Sequence, residues 1–392
     1  MDHRRRIYTS LEAELETKEM VVITGMRRVG KTTALNHLYG LVKSSNKVML
    51  DLENPLHRKI FEEENYDAVW NNLEVFGIVR TIKAYIFIDE VQNLPELSRV
   101  VKYLYDHADV KFVLTGSSSY YLRNLFPESL AGRKMVFELF PLSFGEFLEF
   151  KGVKRVFWRA FRDKVNHKNR VGYEKLVAYY DEFMEFGGFP GVVLEKNRER
   201  KKALLLEIFT SYFEKDVKNL ADFKDISKLR DLILLLIPRV GSKIEIVKLA
   251  SNLGVSRETI YNYLAFLEQT YFVTLLPKYS TGADRQAAGS KKLFLCDAGM
   301  VNVLGRVSQG QLFEQSVCQN IRTVGKLTYY SKGEGSEIDF IVDACALEVK
   351  WTASLQDTAN LERRGGSLKL KEKYVVVHEY SKHSLAILAT DL

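Results

Sequence analysis

One stretch near the N-terminus narrows the fold more than any other. An apolar β-type run, Met20-Val-Val-Ile-Thr24, leads directly into Gly25-Met-Arg-Arg-Val-Gly30-Lys31-Thr32, and the helical pattern Thr33-Ala-Leu-Asn-His-Leu38 follows. This is G-x-x-x-x-G-K-[ST] in its strand–loop–helix setting. The glycines let backbone N–H groups wrap phosphate oxygens, and the helix N-terminus adds its positive end. The cradle is expected from Gly25, Arg28, Val29, Gly30, Lys31, Thr32 and Thr33. Lys31 is expected to reach the β- and γ-phosphates of a nucleotide, and the Thr32 hydroxyl to ligate Mg²⁺.

A second apolar run, Tyr85-Ile-Phe-Ile-Asp89-Glu90, ends in paired acids. Beside a phosphate loop this is the Walker B arrangement: Asp89 for the Mg²⁺ shell, Glu90 to orient and polarise the attacking water. A third run, Val113-Leu-Thr115, ends in Gly116-Ser-Ser-Ser119. Ser117 there is a candidate γ-phosphate sensor, with a helix N-cap as the equal alternative. Arg133, in Leu130-Ala-Gly-Arg133, is either a transition-state arginine, in cis or in trans, or a solvated surface residue. The absence of an Asn-Lys-x-Asp guanine-reading motif favours ATP over GTP.

At 392 residues the chain exceeds one ordinary core. Up to about Lys151, β-rich runs alternate with helical patterns, predicting an α/β domain with a mainly parallel sheet. It closes at Ser143-Phe-Gly-Glu146, a capping box. Helical pattern then runs to Arg239, broken at Gly187-Gly-Phe-Pro190, and two short helices and an apolar tail extend to Leu276. A polar linker follows, and strands return after Ser290. Cys296, Cys318 and Cys345 show no CxxC spacing and are odd in number, which argues against a disulfide framework or zinc site. No signal peptide and no membrane span is read, so a cytoplasmic protein is expected. The net charge of +7 permits an anionic partner without demanding one.

Two segments bear on such a partner. Ile244–Ser256 gives a helix, a glycine turn at Gly254 and a serine N-cap; Arg257–Gln269 gives a second helix, and Tyr271–Leu276 a wing. The exposed face of the second helix carries Arg257, Glu258, Asn262 and Glu268, which is not a basic stripe. Lys151–Arg170 interleaves cations with Phe157, Trp158 and Phe161. Its Val153, Phe157, Phe161 and Val165 recur at helical spacing, predicting an amphipathic helix with a basic face; phosphate contact is the secondary reading.

The last constellation is Glu314 on a helical pattern, Asp339 on a strand, and Glu348-Val-Lys350 on the next strand. A hairpin between those strands sets Asp339 beside Glu348 to share a hard cation, with Glu314 completing the shell. Lys350 would then polarise a water. Flanking residues such as Ile338, Phe340, Leu347 and Val349 are apolar, and acids so placed need a cation or partner. A charged hairpin face is the alternative.

Taken together, Gly25–Thr33, Phe87–Gln92, Leu114–Ser119, Leu130–Arg133, Pro141–Phe147 and Gly187–Pro190 resemble AAA+-type ATPases of archaea and bacteria. In those proteins a P-loop (ASCE/AAA+-like) domain is followed by a helical lid, a winged helix and a C-terminal nuclease-like domain. Residues Gln311–His378 resemble the PD-(D/E)xK nucleases, an α/β restriction-endonuclease-like fold. The resemblance implies an ATPase domain over residues 1–148, a lid over 149–239, a winged helix over 240–276, a linker over 277–289 and a nuclease-like domain over 290–392. It also implies ATP and Mg²⁺, with Mn²⁺ as an alternative ion at the nuclease-like site, and nucleic acid, DNA above all, as partner; self-association stays open. The leading expectation is an ATP-dependent, Mg²⁺-requiring nuclease. A nucleotide-controlled switch with a non-cleaving C-terminal domain is its competitor, and a winged-helix transcription regulator the third reading.

Overall fold

The computed structural model describes residues 3–117, 132–218, 226–280, 289–332 and 336–392. Ser118, Ser119, Leu130, Ala131 and most of the expected linker lie outside them.

The chain forms two compact units. The first comprises Met1–Phe140 with Tyr212–Ala221 and Gln269–Tyr271. Its centre is a five-stranded sheet of β1 (Met20–Thr24), β2 (Lys47–Asp51), β3 (Ala84–Asp89), β4 (Val110–Gly116) and β5 (Lys134–Glu138), in the order β2-β3-β4-β1-β5. Every pairing is parallel. Strands buried on both faces of a parallel sheet read as continuous apolar runs, and β1 and β4 are buried along their whole length. The helix Leu97–His107 covers one face through Leu97, Val100, Val101 and Leu104, a stripe at helical spacing. Because all strands run one way, the loops after β1, β3 and β4 emerge along one edge, where parallel sheets bind ligands.

The second unit comprises Pro141–Ser211, Asp222–Glu268 and Phe272–Leu392. Ser143 and Glu146 form the predicted capping box on the helix Phe144–Phe150. The helices Ile246–Leu253 and Arg257–Gln269 flank a turn at Gly254, φ +64°, a conformation that favours glycine. β6 (Val273–Leu276) pairs antiparallel with β7 (Lys292–Leu295). The helix Gln309–Ile321 then precedes an antiparallel meander of β8 (Leu327–Ser331), β9 (Glu337–Val342) and β10 (Cys345–Lys350). After the helix Leu355–Ser367, β11 (Glu372–Val377) joins β10 in parallel, and β12 (Ala386–Leu388) adds a further strand.

One expectation fails here. The apolar spacing from Val153 to Val165 predicted one amphipathic helix, yet only Phe161–Asn166 is helical. Gly152, at φ +73°, ends the preceding helix, and Ala160 enters the next from extended backbone. Of Val153, Phe157, Phe161 and Val165 only Phe161 is buried; the other three are half-buried and form no continuous buried stripe.

All three cysteines are free and buried. Among the described residues no helix is long and apolar enough to cross a membrane.

Candidate nucleotide site

The loop between β1 and the helix Lys31–Leu41 is held in place by its neighbours. At Gly25 (φ +151°) a Cβ would lie 2.1 Å from the Leu139 carbonyl oxygen, so no side chain fits. Arg28 (φ +65°) and Gly30 (φ +99°) are both left-handed, the kind of geometry that gathers successive N–H groups into an anion-binding concavity. The buried Arg5 guanidinium donates to the Val29 carbonyl and the Phe140 carbonyl, both at 2.9 Å, tying the loop to the end of the sheet. Thr33 is exposed in the first turn of the helix.

Lys31 is buried, and its ammonium donates to the Gly25 and Met26 carbonyls at 3.0 and 3.1 Å. Burial lowers its pKa, and the Glu90, Asp216 and Asp89 charges oppose that shift. The Thr32 hydroxyl donates to Asp89 at 2.7 Å, bringing the end of β3 to the start of the helix. Asp89 also accepts from the Thr115 hydroxyl on β4. A hydroxyl and a carboxylate so placed are hard oxygen ligands of the kind that hold a Mg²⁺ with most of its waters.

Glu90 follows Asp89 in left-handed backbone (φ +56°, ψ +49°), uncommon for a residue with a side chain. Its N–H donates to Thr115 Oγ1 at 3.2 Å, and its carboxylate accepts from the Gln92 amide and lies 3.9 Å from Arg27. Ser117 closes the row from the end of β4, its N–H donating to Gln92 at 3.3 Å.

Two partners here escaped the sequence reading. Asp216, on a π-helical turn Tyr212–Val217, is almost wholly buried; it accepts from Arg27 Nε at 2.9 Å and from the Ser117 hydroxyl at 2.8 Å. Gln92 bridges Glu90 and Ser117. Nothing in local spacing signals Asp216, which lies 189 positions from Arg27.

Lys31, Thr32, Asp89, Glu90 and Ser117 thus meet at one end of the sheet, and Arg133 does not join them. Lys134 pairs with Met20 at the start of β1, whereas the loop leaves from Thr24. At ~3.3 Å per residue the strand separates Arg133 from the loop by roughly 13 Å or more. Its guanidinium grips Asp106 at 3.0 and 3.3 Å.

In the second unit Asp339 and Glu348 lie on adjacent positions of the β9–β10 hairpin, and Asp339 accepts from the Val349 N–H at 2.8 Å. Glu314, from the helix Gln309–Ile321, comes to the same place through a residue that sequence reasoning did not select. Lys292 on β7 sets its ammonium 3.0 Å from Glu314, 2.5 Å from Glu337 and 3.5 Å from Asp339. Burial works against that ammonium, yet the Glu314, Asp339 and Glu337 charges hold its pKa well above the usual lysine range. Glu348 pairs with Lys350 at 3.0 Å and lies 3.9 Å from Arg364. Burial, followed by the Asp339 charge, pushes both Glu314 and Glu348 upward. Among the described residues no group of three or more His, Cys, Asp or Glu side chains is disposed to hold a metal ion.

Residues 17–148 match the AAA domain family, and residues 177–311 match a domain of unknown function (DUF8612). The uncharacterized protein MJ1544 of Methanocaldococcus jannaschii is 30% identical over 350 residues, covering 86% of this chain and 75% of its own length. An uncharacterized protein of Haemophilus influenzae is 26% identical over 373 residues, covering 92% and 88%. Among solved structures, the Walker-type ATPase PABY2304 of Pyrococcus abyssi is similar over 78% of this chain and 96% of its own, at 15% identity and a TM-score of 0.46.

Proposed function

The chain belongs to the family of the Methanocaldococcus jannaschii protein MJ1544 and carries an AAA domain near its N-terminus, and from that premise we propose that it binds and hydrolyses ATP at the loop Gly25–Thr32. The observation that carries this reading is the Thr32–Asp89 contact of 2.7 Å, which unites the phosphate loop with the acidic end of β3. The backbone from Gly25 to Thr33 would cradle the phosphates, and Lys31 would turn from its own loop carbonyls to the β- and γ-oxygens. Mg²⁺ arriving with ATP would be held by Thr32 with Asp89 behind it, and supplies charge neutralisation at the phosphates. Glu90, braced by Gln92, would orient the attacking water.

We further propose that the second unit answers to nucleotide as a binding module and does not cut. Its order of helix, antiparallel meander, helix and parallel strand supports the nuclease-like fold that the sequence resemblance implies. Glu314, Asp339 and Glu337 already have a cation in Lys292, however, and a divalent ion would have to take that ammonium's place. Arg133 acts, in this reading, only if a second copy of the chain presents it. One observation favours the rival nuclease reading: Glu348 Oε2 is buried without a hydrogen-bond partner. Linear, circular and single-stranded DNA incubated with Mg²⁺ or Mn²⁺, with and without ATP, separates the two. The expected result is ATP turnover with all three DNAs intact. Cleavage that disappears in Glu348→Ala would establish the nuclease.

A further inference from the structure

The nucleotide site holds an anion of its own. Asp216 stands on the π-helical turn Tyr212–Val217 and belongs to the same compact unit as the phosphate loop. Its two carboxylate oxygens are divided between two donors, Arg27 Nε at 2.9 Å and the Ser117 hydroxyl at 2.8 Å. Arg27 is the third residue of the loop, and its guanidinium also lies 3.9 Å from Glu90. Ser117 sits at the end of β4, between the strands that carry the loop and the paired acids. A cation of the loop and a hydroxyl linked to Glu90 through Gln92 are groups suited to a γ-phosphate, and both are engaged by a protein carboxylate.

We propose that Asp216 is a specificity-determining residue of this site, an internal stand-in for the γ-phosphate that weights the site against nucleoside triphosphate and toward the diphosphate. The inference rests on the nucleotide-binding reading above. A γ-phosphate brings about two negative charges and needs the donors that Asp216 holds. Two anions cannot share one guanidinium and one hydroxyl in a buried setting without strong repulsion. Triphosphate therefore displaces Asp216, whereas diphosphate leaves the Arg27–Asp216–Ser117 bridge intact.

Displacement has a structural consequence. A π-helical turn carries one residue more per turn than its α-helical neighbours, a geometry often found at functional sites. The turn is anchored at Asp216, so displacement of that carboxylate loosens Tyr212–Val217 itself. The burial of Asp216 raises its pKa, opposed by Arg27, the Ser117 hydrogen bond and Lys31, in keeping with a carboxylate that depends on these partners.

The test is equilibrium binding of ADP and of a non-hydrolysable ATP analogue, with Mg²⁺, to the full-length wild type and to Asp216→Asn. Removing the charge at nearly constant volume is expected to favour the triphosphate over the diphosphate by about tenfold or more. An unchanged ratio, with both affinities shifted together or neither, would overturn the proposal. A second measurement uses only the wild type and so does not depend on the variant folding. Amide hydrogen exchange across residues 212–217 is expected to rise with the ATP analogue and stay unchanged with ADP; equal exchange in both states would also overturn it. If the wild type binds neither nucleotide, the nucleotide-site reading fails instead.

Discussion

At the scale of single residues, the nucleotide site depends on side chains whose roles do not overlap. Glu90 holds left-handed backbone beside Asp89, and its carboxylate faces side chains, the Arg27 guanidinium at 3.9 Å and the Gln92 amide. Glu90→Gln should therefore keep ATP affinity within a few-fold while lowering turnover by about 100-fold or more, as loss of a water-activating group does. Single-turnover phosphate release beside equilibrium binding checks this; full turnover would place water activation elsewhere. Gly25→Ala should fail differently. Its Cβ would meet the Leu139 carbonyl at 2.1 Å, so the loop must move and nucleotide binding should be lost along with some thermal stability. Lys31, Thr32, Asp89 and Glu90 were legible in the sequence because their chemistry is set by spacing within one strand–loop unit. Asp216 was not, because it reaches Ser117 across 99 positions and no local pattern marks a carboxylate that binds from so far away.

At the scale of elements, a short glycine motif is explained by one buried acid. Asp297 accepts from the N–H groups of Gly188, Gly299 and Met300 and from the Gln319 amide. A Cβ on Gly187 would fall 1.7 Å from its carboxylate, which accounts for the Gly187-Gly-Phe-Pro190 break in an otherwise helical region. The same carboxylate caps the helix Ala298–Leu304. Asp297→Ala leaves those buried donors unmet and should cost about 2–4 kcal/mol of stability. Burial raises its carboxyl from 3.8 to about 6, so the folded state binds the proton more tightly than the unfolded chain. The stability this group contributes is present in full below pH 3.8 and is lost as pH rises through about 6. Denaturant titrations between pH 4 and 7 should show that slope in the wild type and not in Asp297→Ala. The strands Met20–Thr24 and Ala84–Asp89 were legible to within a residue from their apolar runs, whereas the short β12 was not read at all. The Lys151–Arg170 segment was misread because periodicity alone does not register a left-handed Gly152 that stops the helix.

At the scale of the whole molecule, the chain joins a phosphate-binding α/β unit to a second unit whose acids are balanced from within. Sequence reasoning brought Glu314, Asp339, Glu348 and Lys350 together but passed over Lys292, because a lysine at the start of a short apolar strand carries no signal of its own. Lys292→Met should leave three carboxylates without their shared cation and destabilise the second unit by about 3–5 kcal/mol. Added Mg²⁺ should recover part of that loss in the variant and leave wild-type thermal unfolding unmoved. A wild type stabilised by Mg²⁺ in the absence of nucleotide would favour a resident metal. Whether the first unit turns over ATP is read from steady-state phosphate release from Mg·ATP by the full-length wild type and Lys31→Ala. Turnover is expected in the wild type and none in the variant; turnover undiminished in Lys31→Ala would place hydrolysis outside the loop Gly25–Thr32.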